Sequence, residues 1–210
     1  MSCRLCGHDT TELSLEKLYL LCNNCNGIQL SEAHFLSAED EKNRYQQHNN
    51  DIKDPGYRKF LSQLLDPLIE RIPKNATGLD YGSGPNPSLS VLFKEKNVEV
   101  KNYDPYFADY PENLSQDYDF ITCSETAEHF KNPADEFKKI NALLKPAGTL
   151  GLMTLSFDTK KIDFENWFYR KDPTHVFFYQ LETLEYISKA MGWKLQVLSE
   201  RVFVFLKPLL

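Results

Sequence analysis

With 210 residues the chain has room for one α/β domain and a small appendage, and its 41% apolar and 26% charged residues exclude a disordered or fibrous protein. A net charge of −6 gives no general attraction for a phosphate backbone, so nucleic acid is an unfavoured partner. No apolar run approaches the ~18 residues that cross a bilayer. The start, Met1-Ser2-Cys3-Arg4-Leu5-Cys6, has no hydrophobic leader core, so the chain reads as cytoplasmic and its five cysteines as reduced.

Cys3-x-x-Cys6 and Cys22-x-x-Cys25 are separated by the 15 residues 7–21, enough for a short hairpin. Each pair can turn two thiolates toward one point, and four thiolates suit a tetrahedral Zn²⁺ that holds a segment too small to fold on apolar burial. An all-cysteine set implies no open coordination position, so the expected zinc is structural. A redox CxxC needs only one pair. Residues 1–30 therefore read as a zinc ribbon or knuckle, with Gly7 and Gly27 giving room for tight turns. Whether it serves as a scaffold or as a tab for a partner stays open, and His8 and His34 read as ordinary surface residues.

Residues 31–75 read as a helical linker or lid. Ser37 is a candidate N-cap, and Pro55 opens a helix whose apolar positions run from Tyr57, Phe60 and Leu61 to Leu68 and Ile69 at spacings of three and four. Pro67 either kinks that helix or begins a second one capped by Asp66. The polar patch His48-Asn49-Asn50-Asp51 has a plain reading as a solvated loop and a sharper one as a segment over a bound ligand, which makes His48 and Asn49 candidate substrate contacts.

Residues 77–81 predict a strand, Gly82-Ser83-Gly84 a turn, and Asn86 a helix cap with Pro87 at the first helical position. Residues 98–103 predict the next strand, ending at Asp104, 22 residues beyond Gly82. Glycines let the backbone approach a ligand, a helix start offers free N–H groups, and an acid at the second strand end accepts from ribose hydroxyls. A dinucleotide GxGxxG would need glycine at 87, where Pro87 stands. Asp80, two residues before the first glycine, would repel a diphosphate but favour a ligand carrying an ammonium and a sulfonium. These electrostatics point to S-adenosylmethionine.

At this point the sequence resembles a known family. "LDYGSGP" looks like the first motif of the class I, seven-stranded S-adenosylmethionine-dependent methyltransferases. "DYDFITCSETAEHF" resembles their fourth strand and following loop, and "NPADEFKKINALLKPAGTLGLMT" their next helix, Lys-Pro-x-Gly turn and fifth strand. The resemblance covers residues 76–206, with the motifs in order. The cysteine knuckle together with "DPGYRKFL" and "RKDPTHVFFY" looks like a zinc-ribbon-bearing bacterial subgroup. The implied fold is α/β: a Rossmann-like, doubly wound, seven-stranded sheet over residues 76–210 with a small N-terminal zinc knuckle. Two departures stand out. Asn86 replaces the third glycine of the first motif, and only 14 residues separate Asp104 from Asp119, where the family places a helix, a third strand and an adenine-contacting acid. The third strand is therefore expected to be reduced. Asp109 is a weak candidate for the adenine acid, and Tyr106 and Phe107 are candidates to cover the ring.

The cofactor-binding candidates are Asp80, Gly82, Ser83, Gly84, Pro85 and Asn86 around the turn. Asp104 and Pro105 lie at the ribose side, and Cys123, Ser124 and Glu125 at the end of the strand predicted over 120–123. Asn132 is read as the cap of the next helix, with Pro133 at its first position. Residues 150–155 predict the fifth strand, 181–191 a helix closed by Gly192, and 193–198 with 201–206 a closing hairpin.

Alignment of donor and acceptor carries most of a methyl transfer, and a hydroxyl or activated-carbon acceptor gains from a general base. His129, beside Glu128 just past the fourth strand, is the candidate base; the plain alternative is a structural loop histidine. By resemblance, some sugar C-methyltransferases with a zinc knuckle use a Glu-His pair in this loop. Trp167, Tyr169 and His175 form a second constellation, read either as a pocket wall for a small polar substrate or as a packed loop. The expected activity is methyl transfer to a small, sugar-like or hydroxylated molecule. The rivals are a nicotinamide oxidoreductase, a non-catalytic cofactor-binding interaction protein, and a protein or RNA methyltransferase.

Overall fold

The computed structural model describes residues 1–13, 18–47, 50–158 and 162–209. Three short antiparallel strands come first: β1 (Thr10–Glu12), β2 (Tyr19–Cys22) and β3 (Ile28–Leu30). Helix α1 (Ala38–Gln46) follows, with Ser37 Oγ accepting from Asp40 N at 3.1 Å as the expected N-cap. Helix α2 (Pro55–Ile69) is capped by Asp54, whose carboxylate accepts from Gly56 N. It runs unbroken through Pro67, which sits in its last turns, so no second helix begins at Asp66.

The main sheet starts with β4 (Thr77–Tyr81), α3 (Ser88–Glu95) and β5 (Glu99–Tyr103). It continues through β6 (Tyr118–Ser124), α4 (Pro133–Leu143) and β7 (Leu144–Met153), and then the two-residue β8 (Phe177–Phe178) departs to another sheet. The chain closes with α5 (Leu181–Met191), β9 (Lys194–Val197) and β10 (Val202–Leu206). Gly192, at φ +70°, ends α5 as expected.

The strand order of the main sheet is β5-β4-β6-β7-β10-β9. β5, β4, β6 and β7 are parallel, and β10 is antiparallel to both β7 and β9. Side-chain alternation divides the core between the two faces. Phe120, Met153, Val202 and Val204 meet Leu61, Leu64, Leu65 and Leu68 of α2 and Leu92 and Phe93 of α3. Ile121, Leu150, Leu152, Phe203 and Phe205 meet α4 and α5 on the other side. Gly151 lets α2 lie close, since a Cβ there would stand 2.4 Å from Leu68 Cδ1.

The reduced third strand is real: among the described residues the sheet has six strands, and the edge beyond β5 is covered otherwise. A 3₁₀ turn, Pro111–Leu114, brings Asn113 Nδ2 to the Asn102 carbonyl at 3.0 Å, so side chains cover the free edge. One local expectation fails at a helix start, and a second holds in position alone. Pro87, not Asn86, is the cap residue of α3, and the Asn86 carbonyl turns inward to accept from Ser88 N at 2.6 Å. Asn132 precedes α4 with Pro133 at the first position, yet its side chain makes no capping bond.

The cysteine segment is not a free appendage. β8, from the far end of the chain, pairs with β3 (Ile28↔Phe178, Gln29↔Phe177) and completes a four-stranded sheet β1-β2-β3-β8. Arg4 bridges the seam, donating to Leu30 O and Val176 O at 2.8 Å each. Gly27 serves close packing rather than a turn, because a Cβ there would lie 2.5 Å from the Phe177 ring; the left-handed residue is Asn26, at φ 57°.

Candidate cofactor and acceptor site

β4 ends in the glycine turn. Gly82 and Gly84 lie at φ +82° and +65°, and a Cβ on Gly82 would fall 2.1 Å from Thr126 Cγ2, so only glycine fits there. Gly82 N and Ser83 N donate to the Tyr103 carbonyl at 2.8 and 3.1 Å, tying the turn to the end of β5. Asp104 completes the tie. One carboxylate oxygen accepts from Gly84 N at 2.9 Å, and the other from Tyr106 N and Phe107 N at 2.9 and 3.1 Å. Among the described residues Ser83 Oγ is buried without a hydrogen-bond partner, which leaves a hydroxyl for a ligand to satisfy.

A cavity of about 590 Å³ opens beside this turn, at the carboxyl ends of the parallel strands. Asp80, the turn residues 82–86, Asp104 and Pro105 line it, as do Ser124 and Glu125. Tyr106 and Phe107 line it too, whereas Asp109 does not. Cys123 does not reach it: the thiol is fully buried in the core on the α4–α5 side of the sheet, with burial pushing its pKa well up.

The acceptor-side candidates divide. Glu128, His129 and His175 line the cavity. Trp167 packs instead into an aromatic cluster with Phe157, Phe164 and Phe178 under the cysteine sheet, so it is core and not a pocket wall. Tyr169 is buried behind the site, its hydroxyl donating to Glu128 Oε1 and reaching Glu125 Oε2 at 3.4 Å. His48 and Asn49 lie outside the described residues, while their neighbour Asn50 lines the cavity.

Other lining residues went unread in the sequence. Glu41 and Tyr45 of α1 and Tyr57 and Phe60 of α2 face the cavity. Glu41 is buried and accepts from Tyr45 OH, Tyr106 OH and Lys131 Nζ, each at 2.8 Å, which fastens α1 across the loop that follows β5. Burial works to raise the Glu41 pKa, but these three donors outweigh it and leave it lowered. An amphipathic stripe says which residues are covered, not that two of them cover a cavity.

The carboxylates near the turn are not equivalent. Asp80 is buried, and desolvation, with the Asp104 charge adding, lifts its pKa to about 7 against the hydrogen bond from Thr122 Oγ1 at 2.8 Å. Glu125 also rises to about 7, through burial and the Glu128 charge, although Arg201 pairs with it at 2.7 Å. Its backbone sits at φ 47°, a left-handed conformation costly for glutamate, at the point where β6 gives way to the site loop. His175 is held neutral, its pKa brought down to about 4 mainly by burial.

Asp80 makes the ligand-free fold pH-dependent. With an unfolded value near ~4 and a folded value of about 7, the fold holds this proton more tightly than the open chain. Its contribution is therefore intact below pH ~4, falls as pH rises toward 7, and is fully lost above, a change of roughly 4 kcal/mol. In urea unfolding, the advantage of Asp80→Asn over the parent should grow between pH 5 and pH 8. A pH-independent difference would contradict the assignment.

The four cysteines fit one tetrahedral ion. Their sulfurs lie within 4.8 Å of one another, with Cys3–Cys25 at 3.7 Å and Cys6–Cys22 at 3.3 Å. Those separations are near the ~3.8 Å edge of a Zn–thiolate tetrahedron and far beyond the ~2.05 Å of a disulfide. Leu5 N donates to Cys3 Sγ, and Asn24 N and Cys25 N to Cys22 Sγ, all at 3.4 Å, which helps hold thiolates.

Comparison with known proteins agrees with this geometry. In sequence, the ubiquinone biosynthesis O-methyltransferase of Aeromonas salmonicida is 26% identical over 97 residues, covering 46% of this chain and 41% of that protein. The same enzyme from Shewanella pealeana is 31% identical over 94 residues, or 44% of this chain and 39% of that one. The match thus spans about two fifths of the length of these curated relatives. In structure, the 1,6-didemethyltoxoflavin-N1-methyltransferase of Burkholderia thailandensis, solved with 1,6-didemethyltoxoflavin and S-adenosylhomocysteine bound, superposes with a TM-score of 0.54 at 13% identity over 95% of this chain and 99% of that one. An O-methyltransferase family protein of the same organism gives 0.54 at 12% identity over 80% and 62%. At such identity these two show the fold alone. The methyltransferase-domain family model matches residues 40–198, about three quarters of the chain. The chain therefore belongs to the methyltransferase-domain family, as a class I S-adenosylmethionine-dependent methyltransferase domain with a four-cysteine cluster at its N-terminal end.

Proposed function

We propose that this chain transfers a methyl group from S-adenosylmethionine to a small, hydroxylated or sugar-like molecule. The observation that carries this is the placement of the Glu128–His129 pair and His175 on the same cavity as the acid-tethered glycine turn. Bound there, S-adenosylmethionine supplies a methyl group on a cationic sulfur. Asp80 and the turn 82–84 would hold its amino-acid end, with Ser83 Oγ finding its missing partner, and Asp104 would accept from the ribose hydroxyls. Tyr106 and Phe107 would cover the base. Ser124 and Glu125 would lie toward the sulfur, where the carboxylates favour a cation.

On the acceptor side, His129 Nδ1 meets Thr174 O at 2.9 Å, so that nitrogen carries the proton and Nε2 keeps a lone pair to orient or deprotonate an acceptor. Residues 31–75 would act as a cover that excludes water, since α1 is fastened over the cavity through Glu41. The four cysteines would hold a structural Zn²⁺ that fixes the sheet behind this wall.

The test is incubation of the protein with a methyl-labelled donor and a metabolite extract. Label should enter a small-molecule fraction, and His129→Ala should slow its appearance by about 10²-fold or more. Label appearing only in protein or RNA would overturn the small-molecule reading.

A further inference from the structure

We propose that Glu128, His129 and His175 form a second metal site, distinct from the four cysteines, which holds a first-row divalent cation at the wall of the cofactor cavity with positions open to oxygen atoms of the acceptor. The acceptor part rests on the methyl-transfer reading above; the metal part does not.

The first observation is convergence. One ring nitrogen of each histidine and one carboxylate oxygen of Glu128 lie within 4.8 Å of one another, although the residues come from two segments 46 positions apart. Ligands about 2.1 Å from a metal stand roughly 3 to 4 Å from each other, so sub-ångström side-chain shifts would close the set. The backbone sets this meeting: Val176 N donates to the Glu128 carbonyl at 2.8 Å, which brings the loop of His175 against that of Glu128 and His129.

The second is how the ligands are held from behind. In both histidines Nδ1 meets a backbone carbonyl, Thr174 O at 2.9 Å for His129 and Tyr169 O at 2.7 Å for His175. That contact fixes the tautomer with the proton on Nδ1 and leaves a lone pair on Nε2, the outer support typical of metal-binding imidazoles. Glu128 is supported in the same sense, by Thr154 Oγ1 at 2.9 Å on one oxygen and Tyr169 OH on the other. Each oxygen accepts one hydroxyl hydrogen and keeps further lone pairs.

The third is charge. Glu128 is 1% exposed, and among the described residues no lysine or arginine pairs with it; the nearby Arg201 is engaged by Glu125. A buried carboxylate is normally paired or metal-bound. A cation set between Glu128 and the two imidazoles would supply the missing partner. Two nitrogens and one carboxylate suit Mn²⁺, Fe²⁺, Co²⁺ or Zn²⁺ better than Mg²⁺ or Ca²⁺, which prefer all-oxygen shells. Three protein ligands leave open positions, and the residues face the cavity.

Such a site selects a class of acceptor. A hydroxyl, or two adjacent hydroxyls, would bind the cation, which would then take over activation of the acceptor from the His129 Nε2 lone pair, and would lose a proton to solvent more readily. The oxygen then attacks the methyl carbon, the carbon–sulfur bond breaks with its electron pair passing to sulfur, and a methyl ether and S-adenosylhomocysteine result. Charge and atoms balance without an oxidant or reductant.

The test titrates Mn²⁺ into protein brought to one Zn²⁺ per chain, which fills the tighter four-cysteine site and leaves the second site free, following free Mn²⁺ by electron paramagnetic resonance and solvent proton relaxation. One Mn²⁺ per chain should bind beyond the zinc, and it should relax water strongly through its open positions. His175→Ala and Glu128→Gln should each weaken it at least tenfold. His129→Gln is the second variant, because that half-buried residue is the least tied to folding. Calorimetry with S-adenosylhomocysteine, run on the same samples, reports the cofactor reading separately. No stoichiometric Mn²⁺, or Mn²⁺ binding unchanged in all three variants, would overturn the site and leave His129 as a metal-free base.

Discussion

Asp104→Ala should lower S-adenosylhomocysteine affinity by about 100- to 1000-fold. The carboxylate has two tasks in this fold. It accepts from Gly84 N, Tyr106 N and Phe107 N, thereby joining the glycine turn to the loop that follows β5, and under the proposed reading it would also accept from the ribose hydroxyls. Hydrogen bonds to a charged group contribute roughly 1.5–3 kcal/mol each, so losing two from the ligand gives about 3–4 kcal/mol after partial compensation by water. The three backbone donors left behind add to the loss by loosening the loop. Asp104→Asn keeps one acceptor oxygen and should fall between parent and alanine. Calorimetry on folded protein decides it, and a change of less than about threefold for the alanine variant would remove Asp104 from the ribose site.

With the four cysteines holding Zn²⁺ as proposed, its removal, or Cys25→Ser, should lower the melting temperature by roughly 10 °C. Strands of three and four residues cannot sustain a sheet by themselves, and β1, β2 and β3 are of that length. Metal binding by such segments is largely folding free energy. The loss would spread because β3 pairs with β8 and Arg4 holds the Val176 carbonyl, one residue from His175. If about 3–4 kcal/mol is lost, a domain of this size moves by roughly 2–4 °C per kcal/mol. Scanning calorimetry of parent, chelator-treated and Cys25→Ser protein would measure it. Identical melting with and without bound zinc would mean that the cysteine sheet stands on packing alone.

Much of the fold was legible because its signals are local. The strand before Gly82, the helix after Pro87, the acid ending β5, Gly192 closing α5 and the final hairpin each follow from short-range backbone chemistry, and each was found within a residue or two. The short interval between Asp104 and Asp119 likewise foretold the absent edge strand. What stayed hidden depends on long-range pairing. Phe177–Phe178 reads as any apolar pair until it joins β3, and only that pairing ties a separate knuckle to the segment that carries His175.

The acceptor constellation shows the same limit. Trp167, Tyr169 and His175 look alike as pocket candidates in sequence, yet they divide among core, support and cavity according to which face of the loop meets the cysteine sheet. Tyr57 and Phe60 repeat with the leucines of α2 and carry no mark of facing a cavity. Asn86 lost the capping position to Pro87, whose fixed φ sets the helix start without a side-chain bond.

The central claim is that the glycine turn and Asp104 cradle S-adenosylmethionine. A crystal structure of the protein with S-adenosylhomocysteine tests it most directly. The ligand should lie in the cavity beside β4, with its ribose hydroxyls on Asp104 and its amino-acid end against residues 80–84. Ligand bound elsewhere, with that turn left bare, would contradict the account.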